Sequence, residues 1–266
     1  MKKLLTISLL LFASIANAQQ SFFRGHNNYA ASAGSIQAPA VTTNGLILNL
    51  DAGNIASYLG TGSTWTNLVT GNTVTNFTLN SNVNYNFSDG GILRFSNGGL
   101  ASTSNSFGRL AKYSIETWVK LAGTSGNYPC LFTESVNRSV GGANMILGYN
   151  TGFGSNDQYT TGFNNPSSWN VYTTTSNTSD ANNWVQIIAT YDGNICTIYK
   201  NGINIGSGTV GNTGINSSNL GYNIGKRWDD QDYAYGDYAI IKLYNRDLSF
   251  SEVNNNFDAV KSRFGL

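Results

Sequence analysis

The chain has 266 residues, 11% of them charged, with a formal net charge of +1. So even a balance excludes a nucleic-acid-binding surface, which needs concentrated Lys and Arg to neutralise phosphates. Disorder is excluded too, because 40% of the residues are hydrophobic and net charge is low.

At the N-terminus, Lys2 and Lys3 precede an apolar run from Leu4 to Ala16 and an Ala16-Asn17-Ala18 cleavage pattern. Residues 1–18 read as a signal peptide, so an exported protein is expected: secreted, on the cell surface or in the periplasm. The run is shorter than the roughly 20 apolar residues a membrane helix needs, and no other segment is a candidate span. Without the two lysines, 13 basic residues face 14 acidic ones, a net charge of about −1. Residues 19–43 lack periodicity and read as an N-terminal arm. His26, the only histidine, lies there with no second ligand beside it, which suits a surface residue better than a metal site or a general base.

Residues 44–266 form the expected folded domain. It opens with an apolar strand, "GLILNLDAG" (45–53). Further strands are predicted at 73–79, 92–95, 113–121, 130–134, 144–149, 169–174, 184–191, 195–200, 203–206, 222–225 and 238–244, separated by turn clusters at sandwich-like intervals. Within 185–191, Val185, Ile187, Ala189 and Tyr191 share one face, while Gln186, Ile188 and Thr190 share the other. Asp192-Gly193-Asn194 turns the chain, and Asn201-Gly202 is the pair a two-residue type I′ hairpin favours. One helix is predicted near the end. Ser249-Phe250-Ser251-Glu252 is a capping-box pattern, and Val253, Phe257, Val260 and Phe264 recur at helical spacing.

Cys130 and Cys196 both fall in predicted strands; a disulfide and two buried thiols are equally open readings. Aromatic residues among polar loop groups suit sugars, which present apolar ring faces and dense hydroxyls. "GKRWDDQDYAYGD" (225–237) offers Trp228, Tyr233 and Tyr235 among Asp229, Asp230 and Asp232. "GFNNPSSWNVY" (162–172) adds Asn164, Asn165 and Trp169. These rim segments are the expected ligand site.

Four blocks carry a resemblance across residues 44–266: "NGLILNLDAGNIASYLGTGSTWTNLVTG", "YSIETWVKL", "NNWVQIIATYDGNICTIYKNG" and "GDYAIIKLYNRDLSFSEVNNNFDAVKSRFGL". Together they resemble the laminin-G-like, concanavalin A-like lectin/glucanase jelly rolls of exported bacterial proteins. The resemblance implies an all-β, two-sheet antiparallel jelly-roll sandwich with a short C-terminal helix. It implies a glycan or a surface protein as partner. It also implies a rim Ca²⁺, for which Asp51 and Asp237 are the candidates and Asp229, Asp230 and Asp232 the alternatives, although Ile240 stands where relatives often carry an acidic residue. The family's glucanases carry paired carboxylates as Glu-x-Asp on one strand, and none of Glu116, Glu134 and Glu252 is followed two residues later by Asp. Glu116 therefore reads as a structural residue, and no catalytic residue is expected.

The expected function is non-catalytic carbohydrate binding through rim loops or the concave sheet. The alternatives are a structural or adhesive protein that binds another protein and, more weakly, a glycoside hydrolase or polysaccharide lyase. The oligomeric state is left open.

Overall fold

The computed structural model describes residues 39–136, 145–149, 158–165, 168–175, 180–211, 219–227 and 232–266. The signal-peptide reading and His26 lie outside them, as do Trp228, Asp229 and Asp230. Among the described residues no helix is long and apolar enough to cross a membrane.

Among the described residues sixteen strands form two layers. The first is built on β16 (Tyr233–Tyr244), which pairs along one side with β7 (Tyr113–Ser125). Beyond β7 follow β12 (Val185–Tyr191), β13 (Ile195–Lys200) and β14 (Ile203–Thr209). The other side of β16 is shared by β1 (Leu46–Asp51) and β5 (Ile92–Phe95), with β4 (Val83–Asn86) on β5. The second layer runs β11 (Ser168–Thr173), β10 (Tyr159–Asn165), β9 (Ile146–Tyr149), β8 (Cys130–Val136), β15 (Asn219–Ile224), β6 (Ala101–Thr103), β3 (Asn76–Leu79) and β2 (Thr64–Thr66). A single parallel pair, Tyr233 with Cys130, ties the layers together. This is the expected antiparallel sandwich.

Sequence patterning accounts for the layers. Val185, Ile187, Ala189 and Tyr191 point into the interior with Leu48 and Leu50 of β1, Ile115 and Val119 of β7, Phe132, Tyr159 and Tyr222. The Val, Leu, Ile and Phe side chains among them stabilise by about 1.5–3 kcal/mol each on burial. The predicted Asn201-Gly202 turn is present, with φ of 50° and 79°. Cys196 lies in the interior cluster, where burial pushes its thiol up to about 12. Cys130 lies on β8 beside Gly148, its Sγ donating to the Tyr128 carbonyl. No disulfide joins the two; both are buried thiols.

The outer face of the first layer is also buried, under α1 (Phe250–Val260) and a following 3-10 turn, Lys261–Phe264. The capping box forms as expected, with Ser249 and Glu252 bonding reciprocally. Trp118 of β7 stacks on Phe257 and Phe264, and Trp184 packs on Phe264. Beside this apolar contact is a buried polar hub. Glu116 is fully buried, and its Oε1 accepts from Trp118 Nε1 (3.0 Å), Gln186 Nε2 (3.0 Å) and Lys242 Nζ (3.1 Å). Its Oε2 accepts from Asn256 Nδ2 of α1 at 2.8 Å. Asn256 also accepts from the Thr42 amide and donates to the Tyr244 hydroxyl. The hub therefore joins three strands, the helix and the chain entering β1.

Glu116→Gln keeps the shape but strands the buried Lys242 cation, so urea unfolding should show a loss of about 3–5 kcal/mol, the range for breaking a buried pair from one side. Glu252, held by the Arg246 guanidinium, has its carboxyl lowered from 4.5 to about 2. A depressed folded-state value contributes stability that is complete above pH 4.5 and lost as pH falls toward 2. Thermal melts across that window should show a shallower acid limb for Glu252→Gln than for the parent protein.

Candidate functional site

Strand β16 starts five residues earlier than the sequence pattern indicated, and this rearranges the expected site. Tyr233 and Tyr235 are half-buried strand residues, not loop residues. The strand can extend because Gly236 (φ 149°) passes against β7; a Cβ there would fall 2.5 Å from the Lys120 carbonyl. Tyr235 lies over Gly123, where a Cβ would fall 2.4 Å from its hydroxyl. Asp232 is buried, paired with Arg227 at 2.7 Å and accepting from the Asn127 amide. Asn165 and Trp169 are placed by their backbones alone, in the β10–β11 ladder, opposite Ser168 and Asn164.

Asp51 and Asp237 are both engaged by arginines. Asp51 Oδ1 accepts from Arg263 Nη1 at 2.8 Å. Asp237, 4% exposed, takes a two-point contact from Arg94 at 2.7 and 3.0 Å, with Lys120 Nζ at 3.5 Å. The Arg94 guanidinium is raised above its usual value by that hydrogen bond and charge. Ca²⁺ takes six to eight hard oxygens carrying net negative charge. At both positions carboxylate oxygens are engaged by guanidinium groups: Oδ1 of Asp51 and both oxygens of Asp237. Among the described residues no group of three or more His, Cys, Asp or Glu gathers that could hold a metal ion.

An open cleft lies elsewhere on the rim, between the β1–β2 loop and the β4–β5 hairpin. It has a volume of about 210 Å³ and is lined by Gly53, Ile55, Tyr58, Leu59, Gly60, Thr61, Tyr85 and Phe87. The β1–β2 loop holds its own shape: Tyr58 donates to the Gly62 carbonyl, and Ser57 Oγ bridges the Asp51 amide to the Thr66 carbonyl. Tyr58 and Tyr85 meet at 5.3 Å and 42°, and Tyr85 meets Phe87 edge-on at 4.9 Å and 78°. Phe87, Ile55 and Leu59 are 84%, 74% and 73% exposed, an apolar rim open to solvent. Burial, then the adjacent Tyr85 phenol, raises the Tyr58 phenol above its usual 10.0, so its ring is neutral at physiological pH.

One side chain joins the two walls. Arg263, in the C-terminal 3-10 turn, donates through Nε to the Asp89 carbonyl (2.9 Å), through Nη1 to Asp51 and through Nη2 to the Gly91 carbonyl (2.7 Å). The walls touch beneath it: a Cβ on Gly53 would fall 2.1 Å from the Gly90 carbonyl and 2.5 Å from Arg263 Nη2. Lys120 extends the network by bridging Asp89 (3.6 Å) and Asp237.

Sequence reasoning missed this cleft. Tyr85 and Phe87 sit in "VNYNFSDGG", too short and polar to stand out as a strand, and Ile55, Tyr58 and Leu59 were absorbed into the stretch after β1. The available signal was two exposed-type loops, each carrying large apolar residues among turn formers. None of the three glutamates lines the cleft. Glu116 and Glu134 are buried and Glu252 serves the helix cap.

A laminin-G family model, described as the concanavalin A-like lectin/glucanases superfamily, matches residues 94–254. No curated protein matches in sequence. Among solved structures, domain 4 of the GH43 extracellular arabinanase AbnA from Geobacillus stearothermophilus, in complex with arabinotriose, is similar with a TM-score of 0.58 and 18% identity. The match covers 79% of this chain and 97% of that one. Trypanosoma rangeli sialidase in complex with sialic acid is similar with a TM-score of 0.61 and 16% identity; the match covers 85% of this chain and 35% of the sialidase. At such identities the likeness is one of fold.

Arg263→Met should free the two walls without disturbing the Glu116 hub. Hydrogen exchange should speed up in residues 52–61 and 86–91 and stay unchanged in β7 and β12, because an opening confined to the loops exposes only their amides.

Proposed function

We propose that this chain, which belongs to the concanavalin A-like lectin/glucanases superfamily, is an exported, non-catalytic carbohydrate-binding module whose ligand sits in the Tyr58–Tyr85–Phe87 cleft. The observation that carries this reading is the run of three touching aromatic rings, Tyr58 buried at its base, Tyr85 half-buried and Phe87 exposed, on a rim built from two braced loops. Sugar rings have apolar C–H faces that pack on aromatic rings, and binding loses little entropy where the walls are already fixed. The arabinotriose bound by the similar arabinanase domain supports the same direction. Residues 44–266 would be the binding domain, following the leader (1–18) and the arm (19–43).

Binding is expected to persist with a chelator, since no step of this reading uses a metal at Asp51 or Asp237. A protein ligand would use the same exposed Ile55, Leu59 and Phe87, and would then depend on the apolar rim as a whole instead of on ring stacking. A glycan-array screen of the mature protein, repeated with Phe87→Ala and Trp228→Ala, tests the assignment. Phe87→Ala should leave the fold intact, because the ring is exposed, and should weaken binding about tenfold or more, or ~1.4 kcal/mol. Loss of binding in Trp228→Ala with none in Phe87→Ala would move the site to the segment at 225–237.

A further inference from the structure

We infer that the cleft takes one uncharged sugar ring at the end of a glycan, and a 6-deoxy ring in preference to one bearing a C6 hydroxyl. This rests on the carbohydrate-binding reading above and adds the class of ligand.

The ring count comes from shape. A platform that holds several consecutive sugars has to present aromatic faces in one plane. Here the rings turn through 42° and then 78° within about one ring width of each other, so they enclose a corner instead of paving a strip. The volume of about 210 Å³ is also smaller than the roughly 300–1,000 Å³ typical of pockets for larger ligands. One ring fills that corner. Its neighbours along a chain would have to leave past Phe87 and Ile55 toward solvent.

The charge selectivity comes from what surrounds the corner. No charged residue lines it. The adjacent cation, Arg263, spends Nε, Nη1 and Nη2 on the Asp89 carbonyl, Asp51 and the Gly91 carbonyl. Lys120 is held between Asp89 and Asp237. A sugar carboxylate would therefore lose its hydration without gaining a partner, which is costly.

The deoxy preference follows from the same lining. Ile55, Leu59 and Phe87 offer a methyl group contact area, while a hydroxymethyl turned toward them would lose water and gain no hydrogen bond. Thr61, exposed on the lining, carries the hydroxyl that would orient the polar edge of the ring.

The test is saturation-transfer NMR and calorimetry on the mature protein with methyl glycosides: 6-deoxyhexosides, a hexoside with its C6 hydroxyl, and a glucuronide. Oligosaccharides ending in the best ring complete the panel. The expected result is a methyl 6-deoxyhexoside binding within about threefold of its oligosaccharide and about tenfold or more tighter than the hexoside and the glucuronide, with the signal abolished in Phe87→Ala. Affinity that climbs about tenfold with each added sugar, or a glucuronide that binds as well as the neutral rings, overturns the inference while leaving the carbohydrate-binding reading in place. Absence of binding by every glycoside and oligosaccharide removes both.

Discussion

A buried carboxylate sets the terms for the whole domain. Glu116 has no access to water, and a charge in that position is tolerable only when its partners are complete and correctly placed. Those partners come from β7, β12, β16 and α1, which are separated by up to 140 residues of chain. A slip of one residue in β7 would turn Glu116 into the interior and push Ile115 and Val119 out of it. The hub thus penalises every alternative register more severely than apolar packing could, since the interior faces of these strands are alike in character.

The placement of the C-terminal segment follows from that constraint. Asn256 reaches Glu116 from the helix, and the rings of Phe257 and Phe264 lock onto Trp118 and Trp184. With the helix so fixed, Arg263 is delivered to the rim opposite Asp51. There it ties together two loops that belong to strands near the start of the domain. The shape of the cleft is in this sense written by the last residues of the chain. Glycines at 53, 90 and 91 matter because any side chain on Gly53 would collide with the guanidinium or with the opposite wall.

The same arrangement gives the acidic strand ends of this chain cationic partners. Asp237 stands in register between Arg94 of β5 and Lys120 of β7, and Asp51 faces Arg263. Cross-strand opposite charges serve as structural pairs. The network of Asp51, Asp89 and Asp237 with Arg94, Lys120 and Arg263 is balanced, and it leaves the neighbouring cleft uncharged.

Local sequence determined the sandwich, its meander and its helix, because these rest on short-range rules. Alternation assigned the two faces of β12, the Asn201-Gly202 pair specified its turn, and Ser249 with Glu252 marked the helix start. The structural role of Glu116 was legible for a similar reason: a lone carboxylate within an apolar strand has little else to do. Tertiary structure alone decided the rest. The short strands β2, β4 and β6 carry too little periodicity to be read without their partners. The extension of β16 into "YAYG" depends on a close approach at Gly236 that only β7 reveals. The cleft combines residues 53–61 with 85–87 and is braced by residue 263. No local pattern encodes such a meeting, because its geometry follows from which strands pair across the sheet and where a distant helix is anchored.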